Sequence, residues 1–279
     1  MKVTDYHSSP ALRDFVLGYK LIESQDGIVN QLLPDTSLAI AFRLQGHVSQ
    51  ISNGKMNPLP LASVSGLRNS MREIQYEKHT RTLVALLSPI GASQLLAEPL
   101  HHLYNQTVAL DDVSTTNTAP LLDKLMSAPA VNEQVAFVDH HLETMVSAHL
   151  RNAAPRRTLR PNGFHPNQKV PGTFPSDAVI ERAVMVISDS KGLVRMHVLC
   201  EHLCLSQDAF EKRFRKVVGS TPKQFANIVR MRSIIDHKSP DLMEIAYEHE
   251  FYDQAHFSKS FKQFTGKNPT EFFKKPDFW

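Results

Sequence analysis

The sequence predicts an α+β protein. Its front half is mainly β, a barrel or sandwich with packing helices, and its back half is all-α with two helix-turn-helix units. Three observations lead there. Apolar residues in the front half alternate with period two between turn signals. A proline-dense stretch divides the chain. The back half then repeats itself at a fixed offset. A length of 279 residues suits about two domains, and 42% hydrophobic with 21% charged residues describes chains that bury cores.

In residues 1–150, Leu38, Ile40, Phe42 and Leu44 alternate with Ala39, Ala41 and Arg43, as in a half-buried strand. Leu83–Leu87 is a short apolar run of the buried-strand kind. Pro34-Asp35, Gly46, Asn53-Gly54 and Ser65-Gly66 mark turns. The pattern becomes helical from Gly91 to Leu103 and again from about Val131 to Leu150. There Val131, Val135, Val138, Leu142 and Met145 step by four and three. That stripe packs against the domain's own sheet or forms a dimer seam, and the seam is the preferred reading.

No catalytic constellation stands out, so no catalytic residue is expected. The front-half histidines lack His-Glu-x-x-His spacing, and neither a glycine-rich phosphate loop nor a Gly-x-Ser-x-Gly elbow is present. His197, Cys200 and Cys204 have helical spacing but lack a fourth ligand, so packing is favoured for both cysteines and no metal or cofactor is expected. Two cysteines cannot staple a framework and point to a reducing compartment, hence a cytoplasmic protein. Nothing approaches an apolar run of about 18 residues, which argues against a membrane partner. The first residues have no apolar stretch behind Lys2, which argues against a secretory signal.

Residues 1–150 carry a net charge of −4, residues 151–175 a net of +5 and residues 176–279 a net of +2. The middle stretch contains Pro155, Pro161, Pro166, Pro171 and Pro175 and no acidic residue. It reads as a basic proline-rich linker or extended arm, with residues 176–279 expected to fold on their own. A basic back half suits nucleic acid, although solvated surface explains modest charge equally well.

Residues 207–225 align without gaps on residues 254–272. Gln207, Phe210, Lys212, Phe214, Gly219, Pro222 and Phe225 recur as Gln254, Phe257, Lys259, Phe261, Gly266, Pro269 and Phe272. Each copy reads as a helix, a tight turn and a second helix. In the first, a helix ends near Leu203, Ser206 caps the next one, which runs to about Val218, and Gly219 supplies a left-handed stop. Thr221-Pro222 opens a connecting helix to about Asp236. In the second copy Asp253 is the cap, Gly266 the stop, and Asn268-Pro269 the restart.

Phe210, Phe214 and Val217 share one helix face, as do Phe257, Phe261 and Phe264. The opposite faces carry Asp208, Glu211, Lys212 and Arg215 in one copy and Ala255, Ser258, Lys259 and Lys262 in the other. Matching cores under different outer faces suit two scaffolds that read different base sequences. Gln254 and His256 lie near the start of the second helix, where base edges are usually reached.

These residues resemble the DNA-binding domain of the AraC/XylS-type bacterial transcriptional regulators. The likeness rests on Cys200, Cys204, Phe210-Glu211-Lys212-Arg213-Phe214-Arg215 and the Gly219 to Pro222 restart. In the second unit it rests on Ile245-Ala246, Phe251, Asp253, His256-Phe257-Ser258-Lys259-Ser260-Phe261-Lys262 and the Gly266 to Pro269 restart. It covers about residues 176–275. Turn glycines of the family are replaced by Cys204 and Glu250, and its arginine by Lys212 and Lys259. Leu33-Pro34-Asp35 and the segment from Ser88 to Ala92 resemble the cupin-like sensor domain found ahead of this domain in many members.

The resemblance implies a cytoplasmic bacterial regulator that binds double-stranded DNA through recognition helices at about 207–218 and 254–265. The DNA-binding set is then Ser206, Gln207, Asp208, Glu211, Lys212, Arg215, Gln254, Ala255, His256, Ser258, Lys259 and Lys262. A small-molecule effector, a homodimer and RNA polymerase are the further partners such a regulator implies. The rival reading is a cupin-like small-molecule-binding protein or enzyme with an accessory helical domain.

Overall fold

In the computed structural model residues 1–153, 177–236 and 242–274 are described. The front half is one antiparallel sheet of β1 (Lys2–Tyr6), β2 (Val16–Leu32), β3 (Leu38–Gln45), β4 (Val48–Ser52), β5 (Lys55–Pro58), β6 (Ala62–Ser65), β7 (Arg72–Leu87) and β8 (Thr107–Ala109). The order is β1-β2-β7-β3-β6-β8, with β4 pairing β5 and β7. Long β7 runs beside β2 from Arg72↔Leu32 to Val16↔Leu87. Its far side pairs β4 at one end and β3 at the other. Asn53 and Gly54, both with positive φ, make the tight β4–β5 turn.

Alternation along the strands sorts side chains onto two faces. Leu38, Ile40 and Phe42 of β3 and Leu83, Ala85 and Leu87 of β7 enter a core with the helices. Their neighbours Ala39, Ala41, Val84 and Leu86 face a cavity on the other side. Residues of β2, β3, β4, β6 and β7 line that one cavity, so the sheet curls around it.

Against the first face pack α1 (Pro89–Leu95), the 3-10 turn Leu100–Leu103, α2 (Ala119–Ser127) and α3 (Val131–Ala153). Ser88 caps α1 by accepting from the Gly91 N–H at 2.9 Å. On α3, Val138 and Leu142 are fully buried, Val135 and Met145 nearly so, and Val131 packs against the same core. Tyr19 of β2 donates to Asp139, and the Ser9 N–H donates to the same carboxylate at 3.1 Å, which fixes α3 to the sheet. The preferred dimer-seam reading of this stripe is therefore corrected: the chain covers the stripe itself. The amphipathic pattern demands a cover but does not say which surface provides it.

α3 extends to Ala153, so the first three residues expected in the linker are helical. Residues 154–175, the rest of it, lie outside the described residues. The back half comprises α4 (Ala178–Asp189), α5 (Met196–His202), α6 (Gln207–Val218), α7 (Pro222–Ile235), α8 (Leu242–Glu248), α9 (Gln254–Thr265) and α10 (Pro269–Lys274). One core runs without a break from the sheet through Leu100 and Leu103 into Ile180, Cys200, Phe210, Phe214 and Phe225. A separate core joins Ile228 and Met231 of α7 to Ile245, Phe251, Phe257, Phe261, Phe264 and Phe272. The expected independence of residues 176–279 thus meets a core that α4, α5 and α6 share with the β domain.

Candidate nucleic-acid interface and cavity

The two helix-turn-helix units repeat each other in atomic detail. The Ser206 hydroxyl accepts from the Ala209 N–H, and the Asp253 carboxylate from the His256 N–H at 2.6 Å. Each cap satisfies a backbone donor that the first helical turn leaves over. Gly219 (φ 94°) and Gly266 (φ 80°) end α6 and α9 in the left-handed conformation. A reciprocal Thr221–Gln224 capping box starts α7. In the turns before α6 and α9, Cys204 (φ 52°) and Glu250 (φ 51°) take the left-handed position. A Cβ there costs on the order of 1 kcal/mol. Cys200 is buried as expected, whereas Cys204 is exposed and does not pack; the turn points its side chain outward.

Of the residues expected to meet DNA, Ser206, Gln207, Asp208, Glu211, Lys212, Arg215, Gln254, Ala255, His256, Lys259 and Lys262 are exposed and Ser258 is half-buried. The Ser206 hydroxyl is engaged in its cap. Glu211 lies 4.0 Å from Arg215 one turn on, a loose surface pair. Arg213 is turned away, held bidentately by Asp177 at the start of α4 at 2.7 and 2.9 Å. Sequence reasoning missed Tyr252, immediately before the α9 cap and 93% exposed, and Tyr247 on α8, 87% exposed. Tyr252 adjoins Asp253, which the sequence already marked as a cap, and that adjacency was the signal available; Tyr247, inside α8, carried none.

The units differ in how they meet the β domain. α6 packs on α1 and on the 3-10 turn, where a Cβ on Gly219 would lie 3.0 Å from the Leu100 carbonyl oxygen. His101 of that turn sits beside α6. Burial, with His102, Arg215 and Lys216 nearby, holds its imidazole below the ordinary histidine range. The second unit touches the domain at fewer points. Leu33 packs on its core, Met71 lies against Gly266, and Arg232 of α7 pairs with Asp35 at 2.7 Å. Asn69 lines a crevice with α7 and α9 residues.

The cavity of about 300 Å³ opens near these last contacts. Ile22, Val48, Leu59, Ile74, Val84 and Leu86 give it apolar walls, and Lys20, Arg68, Arg72 and Arg232 bring cations to it. Lys20 is paired with Asp5 and Arg232 with Asp35. Arg68 and Arg72 have no carboxylate within ion-pair distance among the described residues. Both donate to the Thr107 hydroxyl, at 2.6 and 3.0 Å, Arg72 also to Ser65 at 2.9 Å and Arg68 also to the Asn105 carbonyl at 3.3 Å. Among the described residues the buried Arg68 Nε–H has no acceptor.

Desolvation and then the Arg72 charge push Arg68 down to about 9, and desolvation lowers Arg72 as well. Two like charges converging on one oxygen repel by roughly 3 kcal/mol at an effective dielectric of about 20. Sequence reasoning missed this pair. Arg72 shares its strand face with Ile74 and Tyr76, and that alternation was the one signal that could have placed it inside.

Among the described residues no cluster of three or more His, Cys, Asp or Glu could hold a metal ion. No described helix is long and apolar enough to cross a membrane.

Comparison with known proteins adds two family matches. Residues 199–275 match a helix-turn-helix domain, and residues 4–109 match a domain of unknown function (DUF6597). No curated protein matches the chain. Similar solved structures include ToxT from Vibrio cholerae O395, at 11% identity and TM-score 0.46, covering 94% of this chain and 98% of that one. An apo ToxT variant from Vibrio cholerae strain SCE256 is 14% identical at TM-score 0.45, covering 94% and 97%. Wild-type ToxT from that strain with an unsaturated fatty acid bound is 14% identical at TM-score 0.44, covering 92% and 94%. The paired capped helices and the family match together identify the C-terminal region as a helix-turn-helix domain, carried behind an antiparallel β domain.

Proposed function

We propose that this chain is a sequence-specific, DNA-binding transcriptional regulator, not an enzyme, with α6 and α9 as its recognition helices. The observation that carries this reading is the duplicated cap, core and stop beneath two exposed polar helix faces that differ. A helix of about 10–12 Å diameter fills one major groove, and grooves recur on one duplex face about every 10–10.5 bp. α7, with 14 residues, spans about 21 Å between the units, which suits successive grooves.

In this reading Lys212, Arg215, Lys259 and Lys262 neutralise phosphates, while Gln254 and His256 reach base edges. Ser206, Gln207, Asp208, Glu211, Ala255 and Ser258 complete the two contact faces. The cavity serves as the effector site, and the protein works in the cytoplasm, with RNA polymerase and a second copy as partners. With the α3 stripe covered, any dimer uses another surface.

The test is a binding titration on a site selected from random DNA and on random duplex, at two salt concentrations. Lys212→Ala and Lys259→Ala each weaken binding to both duplexes and reduce the salt slope by about one. Gln254→Ala costs roughly 1–3 kcal/mol on the selected site and much less on random DNA. Equal loss on both duplexes would remove α9 as a reader of bases.

A further inference from the structure

We propose that the sheet cavity binds a small organic oxyanion, a carboxylate or phosphate head on an apolar body, with the Arg68 and Arg72 guanidiniums holding the head. The proposal deepens the effector part of the function above and rests on it. Four cations reach the cavity, and two already have carboxylate partners. The other two converge on the Thr107 hydroxyl, and their further partners, the Ser65 hydroxyl for Arg72 and the Asn105 carbonyl for Arg68, are also neutral acceptors that cancel no charge.

Two guanidiniums brought together away from water with no carboxylate partner are costly. They are well suited to an oxyanion, whose oxygens accept from two planar forks and cancel the charge that the neutral acceptors leave. The Arg68 Nε–H is a further donor, without a partner among the described residues. The remaining walls, Ile22, Ile74, Val84 and Leu86 among them, suit an apolar body, and about 300 Å³ is at the small end of ligand pockets.

Position adds a consequence. The chain between the two arginines carries Asn69 to the crevice between α7 and α9 and Met71 against Gly266. A head group that fixes this loop therefore acts where the second helix-turn-helix unit is seated.

The experiment is calorimetric titration of the full chain with 4-phenylbutyrate, with 3-phenylpropyl phosphate and with the neutral amide of the first. The expected result is that at least one acid binds tenfold or more tightly than the amide. The tighter acid identifies the head as carboxylate or phosphate. Arg72→Gln should bring acid and amide to within about twofold while leaving the melting temperature of the unliganded chain unchanged or raised, because an unpaired charge is gone. Arg68→Gln gives the same readout if the first variant folds poorly.

Equal binding of acid and amide, or no binding of either acid at 5 mM, overturns the proposal. So does an arginine variant that keeps the acid preference. DNA titration of the unliganded chain tests the regulator reading separately, so either can fail while the other stands.

Discussion

In the first helix-turn-helix unit Phe210 and Phe214 share a core with Leu100 and Leu103 of the β domain. In the second, Phe257 and Phe261 share a core with α7, α8 and α10, and among the described residues Leu33 is the β-domain side chain packed against it. The caps, stops and aromatic spacing are the same, so local chemistry does not create this difference. It lies in what is packed behind each unit. The first is built into the β domain, while the second is held to it by Asp35–Arg232, Leu33 and Met71, all at or near the cavity rim. Of the described contacts between the β domain and the two units, those nearest the cavity therefore belong to the second.

The largest effects should come from emptying the two cores. Phe214→Ala and Phe261→Ala each remove a fully buried ring, at a cost of about 3–5 kcal/mol. Phe214→Ala should raise amide exchange in α1 and the 3-10 turn as well as in α6. Phe261→Ala should raise it in α8 to α10 and leave the sheet protected. Identical exchange maps would end the distinction between the units.

Next come the left-handed stops. Gly219→Ala and Gly266→Ala both pay roughly 1 kcal/mol for the left-handed backbone. At Gly219 the new methyl also meets the Leu100 carbonyl oxygen, whereas at Gly266 it meets the mobile end of Met71, each at 3.0 Å. Gly219→Ala should therefore lower the melting temperature more than Gly266→Ala. The reverse order would mean that the contact between α6 and the β domain is soft.

The opposite substitutions sharpen the comparison at the turns. Cys204→Gly should stabilise by about 1 kcal/mol, since the cysteine is exposed and left-handed. Glu250→Gly should gain less, because Glu250 lies near Arg230, whose guanidinium stacks 3.7 Å from the Phe251 ring centre and is lowered by burial against the pull of that carboxylate. Thermal melts of both variants settle the order; a loss at Cys204 would show that strain is not what this turn stores.

The smallest effect is a pH slope. His101 is held below its unfolded value, so the unfolded chain takes up its proton first as pH falls below about 6.5, and stability drops there. His141, lowered mainly by burial, adds to the same slope. His101→Gln should flatten the profile between pH 7 and 5, with the His141 share remaining. An unchanged profile would place His101 outside the α6 contact that it serves.

The units themselves were readable from sequence because their determinants are short-range. Ser206, Asp253, Thr221-Pro222 and the two glycines act within one helical turn, and α6 and α9 begin and end where those residues place them. The alternation of Leu38, Ile40 and Phe42 likewise fixed β3 and the face it buries. The lengths of β2 and β7 were not legible, since charged residues such as Glu73, Glu77 and Lys78 interrupt the apolar pattern while the ladder continues through them. The α3 stripe showed that a surface must be covered and left its cover open.

Sequence alone therefore determined the duplicated helix-turn-helix units, their caps and turns and their exposed faces, because hydrogen bonds and backbone sterics between near neighbours do not depend on the rest of the chain. Tertiary structure alone decided which unit shares a core with the β domain, what α3 packs against, and that Arg68 and Arg72 meet beside one hydroxyl in an apolar cavity. Those outcomes depend on how the sheet curls and where the halves touch, and periodicity in the sequence says that a face is covered without saying by what.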